Sequence, residues 1–404
     1  MEETKQAKVI EFQPVTGSGA SSSLTSVIFV LLLVVPGFAA VVFGAVDQIT
    51  WVLISFVWGA LIVLWLADSW RRNGLLLNAS ALLLPLLGLL LVGAVQLVLP
   101  GQLGSIEPSA TYFFEIRLLV LITFFAGYLT FINSETRLRQ AVNFVVIFGA
   151  AMAFYGILQR LASPDGIYGL RQVPQAIPFG PFVNQHHFAS FMVMTGGLAL
   201  GLFFGKDVTR DRRILLGTAV VIMGVAVGFT SSRGGMLAFA AALCLVLLFQ
   251  LISRERSSAS QTSRHLAAAA GGLALLIVVF GVVLFLGGND SLMRGTGLTA
   301  MPAGDLSNGR YSFWRGAVEI FARHPIMGTG LDTFEFAFTG VDKWPGLLRV
   351  ERSHNDYLQT LTDSGIAGLI CVLAFITLLF RQGARVVRES RDYRRNVAIG
   401  ALAG

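Results

Sequence analysis

The sequence predicts an all-α fold: a polytopic bundle of transmembrane helices with one long outer loop that contains an amphipathic helix. Three observations lead there. Charged residues make up only 13% of the 404 residues and mean hydropathy is +0.71, whereas a soluble domain carries about 25% charged residues. Apolar windows of roughly 18 or more residues recur along the chain, the length a helix needs to cross ~30 Å of hydrocarbon. The basic residues then fall mostly in alternate connections between those windows, the pattern produced when Lys and Arg stay on the cytoplasmic side.

Taken in order, the windows predict spans near 24–46, 51–67, 80–99, 116–133, 138–159, 187–205, 214–230, 235–253, 266–287 and 357–380. An eleventh starts near Val397 and is still apolar at Gly404, as in a chain cut short. The whole reads as one integral membrane domain, residues 1–404, of ten to eleven helices. The polar leader before Leu24 mixes Glu and Lys and runs into a stretch too long for a signal-peptide core, so the first span is retained. Placing the N-terminus inside puts Arg71, Arg72, Arg137, Arg139, Arg212, Arg213, Arg385 and Arg388 on the inner side. Arg160, Arg171 and Arg233 are then the basic residues of the short outer loops. The net charge of +7 therefore belongs to membrane topology and calls for no nucleic acid. Cys244 and Cys371 lie inside apolar runs and read as small buried hydrophobes, with neither a disulfide nor a metal site implied.

The outer side holds the polar clusters. The long loop 288–353 opens with a stretch rich in Gly, Ser, Asn and Asp that has no hydrophobic period and reads as irregular. GRYSFWRGAVEIFARHP follows, with Phe313 or Trp314, Ala317, Val318 and Phe321 at three- and four-residue steps. That spacing predicts an amphipathic helix lying on the protein or on the lipid surface, ended by Pro325. Arg310 stands at its start, while Arg315 and Arg323 suit basic side chains that snorkel to headgroups.

The stretch SHNDY has Ser353 and Asp356 at the spacing of a capping box. A Ser353 cap puts His354 in the first turn of the next helix, where the dipole disfavours imidazolium and leaves a ring able to accept a proton. The same residues could instead merely cap and anchor the helix. Arg233, in TSSRGGML, stands between two apolar runs beside Gly234 and Gly235, which allow a close backbone approach. A distant carboxylate or a ligand phosphate would both satisfy it. The loop 160–186 ends in Asn184, Gln185 and His186. Adjacent His186 and His187 cannot face the same way on a helix, which predicts one lining a polar cavity and the other meeting headgroups.

Four stretches, GPFVNQHHFA at 180–189, SSRGGMLAF at 231–239, GRYSFWRGAVEIFARHPIMGTGLDTF at 309–334 and SHNDYLQTLTDSGIAG at 353–368, resemble the bacterial O-antigen ligase and polymerase family. They cover the second half of the chain. The resemblance implies a GT-C-like, inverting, metal-independent glycosyltransferase of the inner membrane. Its donor would be an undecaprenyl-diphosphate-linked glycan, taken up at the periplasmic face. In a ligase the acceptor is a lipid A core sugar; in a polymerase it is another lipid-linked repeat, and a protein hydroxyl is a third version. The family's essential arginines match Arg233 and Arg310, and its essential histidine matches His354. Asn355, Asp356, Arg315, Gln185 and His186 are candidates for supporting roles. No cofactor or metal is implied, since no DxD pair stands on the outer side. A lipid-linked glycan transporter is the rival from outside the enzymes, but transporters keep ionisable groups near the bilayer midplane. Here they gather at one edge.

Overall fold

The computed structural model describes residues 23–162, 166–173, 176–205, 208–252, 310–342, 350–390 and 393–404. The span expected at 266–287 and the opening of the long loop lie outside the described residues. Among the latter, the helices are α1 Ser23–Val41, α2 Gln48–Arg71, α3 Leu83–Val98, α4 Pro108–Phe131, α5 Glu135–Ala162, α6 Gln185–Phe203, α7 Arg210–Phe229 and α8 Arg233–Ile252. The amphipathic α9 Arg310–Arg323, the short α10 Phe334–Thr339, α11 Asp356–Glu389 and α12 Tyr393–Ala403 follow. Eight of these helices are long and apolar enough to cross a membrane, and the protein is a multi-pass membrane protein. The apolar α3 has 16 residues, about 24 Å, which is shorter than a full crossing.

One apolar core joins α5 to α8 with α12, and a second joins α1, α2 and α4. Where α6 crosses α12, Gly197 and Gly201 meet Gly400 and Gly404 so closely that any Cβ would collide with backbone. Small residues at that spacing let two helices approach in lipid. The terminal apolar run is therefore packed as a helix from Tyr393 onward. Cys244 departs from expectation: it is exposed on the helix surface, and Cys371 is only half-buried.

Contacts between connections sort the helix ends into two groups. At one end Tyr168 donates to the Val41 carbonyl (2.7 Å) and Arg171 pairs with Asp47. Ile106 N–H donates to the Thr329 carbonyl at the same end (2.9 Å). At the other end Asn78 donates to the Leu129 carbonyl (3.0 Å), Arg212 to Asn143 (2.9 Å), and the Arg139 guanidinium lies 4.1 Å from the Tyr393 ring centroid. This second end carries the run of arginines read above as inner. The loop before α6 is non-helical and holds a two-residue antiparallel hairpin, Gly166–Ile167 with Arg171–Gln172.

The element that positions everything else is a break in α11. Gly365 has φ 61° and ψ −159°, and the chain from Pro325 to Gly330 is stitched into the gap. Thr329 and Gly330 donate to the Thr362 and Asp363 carbonyls (2.8 and 3.1 Å), while Ile366 and Ala367 donate to the Pro325 and Ile326 carbonyls (2.9 and 3.2 Å). Backbone groups freed by a helix break inside a membrane protein need such partners. The buried Gln96 of α3 completes the joint, donating to the Asp363 and Met327 carbonyls (2.8 and 2.5 Å) and accepting from Leu331 N–H (3.0 Å).

Gly328 (φ 72°) lies so close that a Cβ there would sit 2.5 Å from Asp363 C and Ser364 N. Gly328→Ala is expected to lower stability by roughly 2–4 kcal/mol, since both the conformation and the contact are unavailable to alanine. Thermal unfolding in detergent checks this, and an unchanged midpoint would remove the joint as a structural requirement.

Candidate active site

Four helix N-termini meet at the end of the bundle that carries this joint. Asn184 caps α6 by accepting from His186 N–H (2.8 Å), and the Phe179, Phe182 and Phe188 rings pack beneath, at 4.8 Å (Phe179–Phe188) and 5.7 Å (Phe182–Phe188). Those aromatics and that cap are the physical content of FGPFVNQHHF. Ser232 caps α8, accepting from Gly235 N–H (3.2 Å), after Ser231 turns the chain at φ 55°. The same hydroxyl is bonded to His186 Nδ1 at 2.9 Å, which joins the starts of α6 and α8 and leaves His186 Nε2 uncommitted to that contact. Gly235 permits the approach: its Cβ would stand 2.6 Å from the Ala189 Cβ, whereas Gly234 faces open space.

Arg310 is the first residue of α9, which sits on α10 and the start of α11 through Ala317, Ile320, Phe334 and Phe338, with Phe313 and Leu358 at the margin. The buried stripe is thus Phe313, Gly316, Ala317 and Ile320. The expected stripe included Val318, but that residue is 53% exposed. Arg323 is paired with Glu319 at 2.7 Å, so its guanidinium is held on its own helix where snorkelling was expected. Arg315 is exposed.

His354 lies just before α11, and the cap differs from the sequence expectation. Asn355, not Ser353, is the N-cap, accepting from Tyr357 and Leu358 N–H (3.1 and 3.2 Å). Ser353 is fully buried, and its hydroxyl donates to the Asn355 carbonyl (2.9 Å). His354 therefore stands outside the first turn, in a left-handed conformation with φ 53°, which costs a non-glycine residue on the order of 1 kcal/mol or more. Both Ser353 and Asn355 suit a cap, and the spacing to Asp356 favoured the wrong one. Asp356 is instead the first residue of α11, where its charge suits the dipole.

The structure brings Arg310, His186, His187 and His354 into one electrostatic neighbourhood. Partial burial, then the Arg310 guanidinium, then His187 hold the His354 imidazole below its ordinary pKa. The ring is accordingly held toward its neutral form, by burial and a neighbouring cation more than by a first-turn position. It lies 6.1 Å from the Phe313 ring, centroid to centroid. His187 shares this neighbourhood, whereas headgroup contact was the expectation for one of the pair. Arg233 opens α8 next to Ser232 and is exposed. Neither Arg233 nor Arg310 is seen in an ion pair among the described residues, unlike Arg352, which pairs with Asp332. Gln185 is half-buried, its N–H donating to the Ile177 carbonyl (2.9 Å).

Ser232 and Gln359 escaped the sequence reading, and Trp314 was read only as a member of the apolar stripe. A serine three residues before Gly235 carried a capping signal that could have found Ser232, whereas the roles of Trp314 and Gln359 depend on contacts across the fold.

Residues 218–373 match the family model described as O-antigen ligase. Over that stretch the chain is similar to the O-antigen ligase family. The matched segment contains Arg233, Arg310 and His354, together with the α11 break; His186 and its cap lie before it. No curated protein matches the chain.

In the matched segment, Gly235→Ala is expected to lower stability by about 1–3 kcal/mol through overpacking against α6. Gly234→Ala leaves it unchanged or slightly raised. Unfolding midpoints of the two variants, compared side by side, check the asymmetry.

Proposed function

We propose that this protein moves a glycan from undecaprenyl diphosphate to an acceptor hydroxyl at the periplasmic face of the bacterial inner membrane, as an O-antigen ligase acting on a lipid A core sugar. The family match supports a membrane glycosyltransferase of the O-antigen ligase or polymerase type. The single observation that carries the finer reading is the shared neighbourhood of Arg310 and a His354 held neutral, at the bundle end opposite the basic connections. With the arginine-rich end inside, that neighbourhood faces the periplasm, where a lipid-linked diphosphate presents its headgroup.

The residue chemistry fits the transfer. A ring nitrogen of His354 takes the proton of the acceptor hydroxyl as its oxygen bonds to the anomeric carbon. The bond from that carbon to the diphosphate oxygen breaks, and its electron pair leaves with the diphosphate. Attack opposite the leaving group inverts the anomeric configuration. A positioned base typically contributes about 10²–10⁴-fold. Arg233 and Arg310 supply planar donor forks suited to phosphate oxygens, and the helix N-termini of α6, α8, α9 and α11 add dipole ends that favour an anion. A group of cations at a leaving diphosphate stabilises charge that grows in the transition state.

Purified protein given a lipid-diphosphate glycan and a core acceptor tests this directly, with the product identified by mass. Turnover is expected to survive EDTA, to fall by about 10²-fold or more in His354→Ala, and to be severely impaired in Arg233→Lys, because a point charge does not copy a bidentate fork. Near-normal turnover of His354→Ala would remove the base. Product formed only with a second lipid-linked repeat would reassign the protein as a polymerase.

The pH profile follows from the same site. Because the folded-state pKa of His354 is depressed, the neutral form persists to lower pH than for a free imidazole. The acidic limb of kcat/KM is therefore expected below the ordinary value of 6.5, and a limb above 6.5 would contradict the assignment.

A further inference from the structure

The residue before His354 is gripped at both of its backbone polar groups. Trp314 Nε1–H, from α9, donates to the Ser353 carbonyl at 3.1 Å. Gln359, one turn into α11, accepts from Ser353 N–H at 2.9 Å through Oε1. Its amide cannot turn round without loss, because Nε2 donates to the Asp363 carboxylate at 2.9 Å and a carboxylate only accepts. Asp363 is fixed in turn, with its carbonyl held by Gln96 and Gly330. A chain of hydrogen bonds thus runs from α3 through the α11 break to the residue before His354. On the far side, Asn355 is bound to the Ser353 hydroxyl through both its N–H (3.3 Å) and its carbonyl (2.9 Å). His354 has a left-handed conformation between two pinned neighbours, and Phe313, beside Trp314, backs its ring.

We propose that Trp314 and Gln359 are positioning residues that hold His354 in reach of the acceptor hydroxyl by fixing Ser353 through its backbone carbonyl and N–H. This rests on His354 being the base named above. Neither residue is asked to touch substrate. A histidine at positive φ lacks glycine's freedom, so its ring direction follows from the orientation of the preceding peptide. The rival reading is that these bonds only fasten α9 to α11, in which case stability changes and the chemistry does not.

The test uses the full chain in detergent or nanodiscs, with Trp314→Phe, which keeps the ring and loses the donor, and Gln359→Leu, which loses the acceptor. His354→Ala is measured in parallel. Two readouts are taken: amide hydrogen exchange over 350–358, and steady-state kinetics with a lipid-diphosphate glycan donor. Both variants are expected to exchange faster in that segment and to lose on the order of 10–100-fold in kcat, with the donor KM within about twofold of the parent. The acidic limb of the pH profile moves up toward the ordinary imidazole value as the ring loosens from its partly buried place beside Arg310. Unchanged exchange, unchanged kcat, or a raised KM at unchanged kcat would each overturn the proposal. Normal turnover in His354→Ala would sink the base assignment separately, and exchange alone would then judge the grip. Should Gln359→Leu fail to fold, Trp314→Phe decides.

Discussion

A helix that crosses a membrane can be broken only where other backbone takes up the groups it frees, and in this protein the break at Gly365 meets that demand with the segment Pro325–Gly330. Four backbone bonds and the Gln96 amide close the joint. The consequence reaches well beyond local repair. The joint ties the end of α9 to the start of α11, and so holds Arg310 and His354 on one rim although they are far apart in sequence. It also ties in α3 and the connection to α4, since Ser105 N–H donates to the Gln96 carbonyl (2.8 Å) and Ile106 N–H to the Thr329 carbonyl. The early helices, which carry no motif of their own, earn a role here as the wall on which the motif-bearing half is set.

Much of this was legible because hydrophobic length and charge asymmetry are local signals. Each apolar window marked a helix wherever the residues are described, although α4 starts at Pro108, eight residues before its window. Its first two turns include Thr111 and Glu115, polar residues that lowered the hydropathy yet face other protein groups, Thr111 donating to the Leu331 carbonyl at 3.1 Å. Proline at the first helical position was the signal that could have set the boundary. The cap of α11 was misread for a different reason. Ser353 and Asn355 are both good caps, and the choice was made by burial of Ser353 under Trp314 and by Gln359, neither visible in a local pattern. Gln96 was beyond reach, since it bonds Leu331 across more than two hundred residues and sits in a run that reads as plain lipid-facing helix.

The electrostatics of the rim show how carboxylates are kept from neutralising it. Asp332 is occupied by Arg352, Asp363 is buried beneath Gln359, and Asp356 is taken into the first turn of α11. Among the described residues, those that share the His354 neighbourhood are cationic or neutral: Arg310, His186 and His187. Partial burial, and after it the Arg310 cation, disfavour a second positive charge there, and both push the His354 imidazole toward its neutral form. The feature that makes the ring a base is therefore the feature that makes the rim receptive to an anion.

These two properties must also work in sequence. Under the proposed mechanism, a diphosphate bound at Arg310 offsets with its negative charge part of the field that helps hold His354 neutral, and the ring becomes easier to protonate. Before donor arrives, the imidazole is ready to accept a proton; with donor in place, the imidazolium it forms lies next to a compensating anion. In that scheme proton abstraction from the acceptor is favoured by the same charge that departs with the leaving group, and water alone, without donor, would offer the site no such compensation. A guanidinium close enough to depress the imidazole pKa, yet not bonded to it, is the arrangement this coupling requires. Arg310 and His354 are placed in that way by the joint at Gly365, and a site assembled from loops without such a joint could not hold the two charges at a fixed separation.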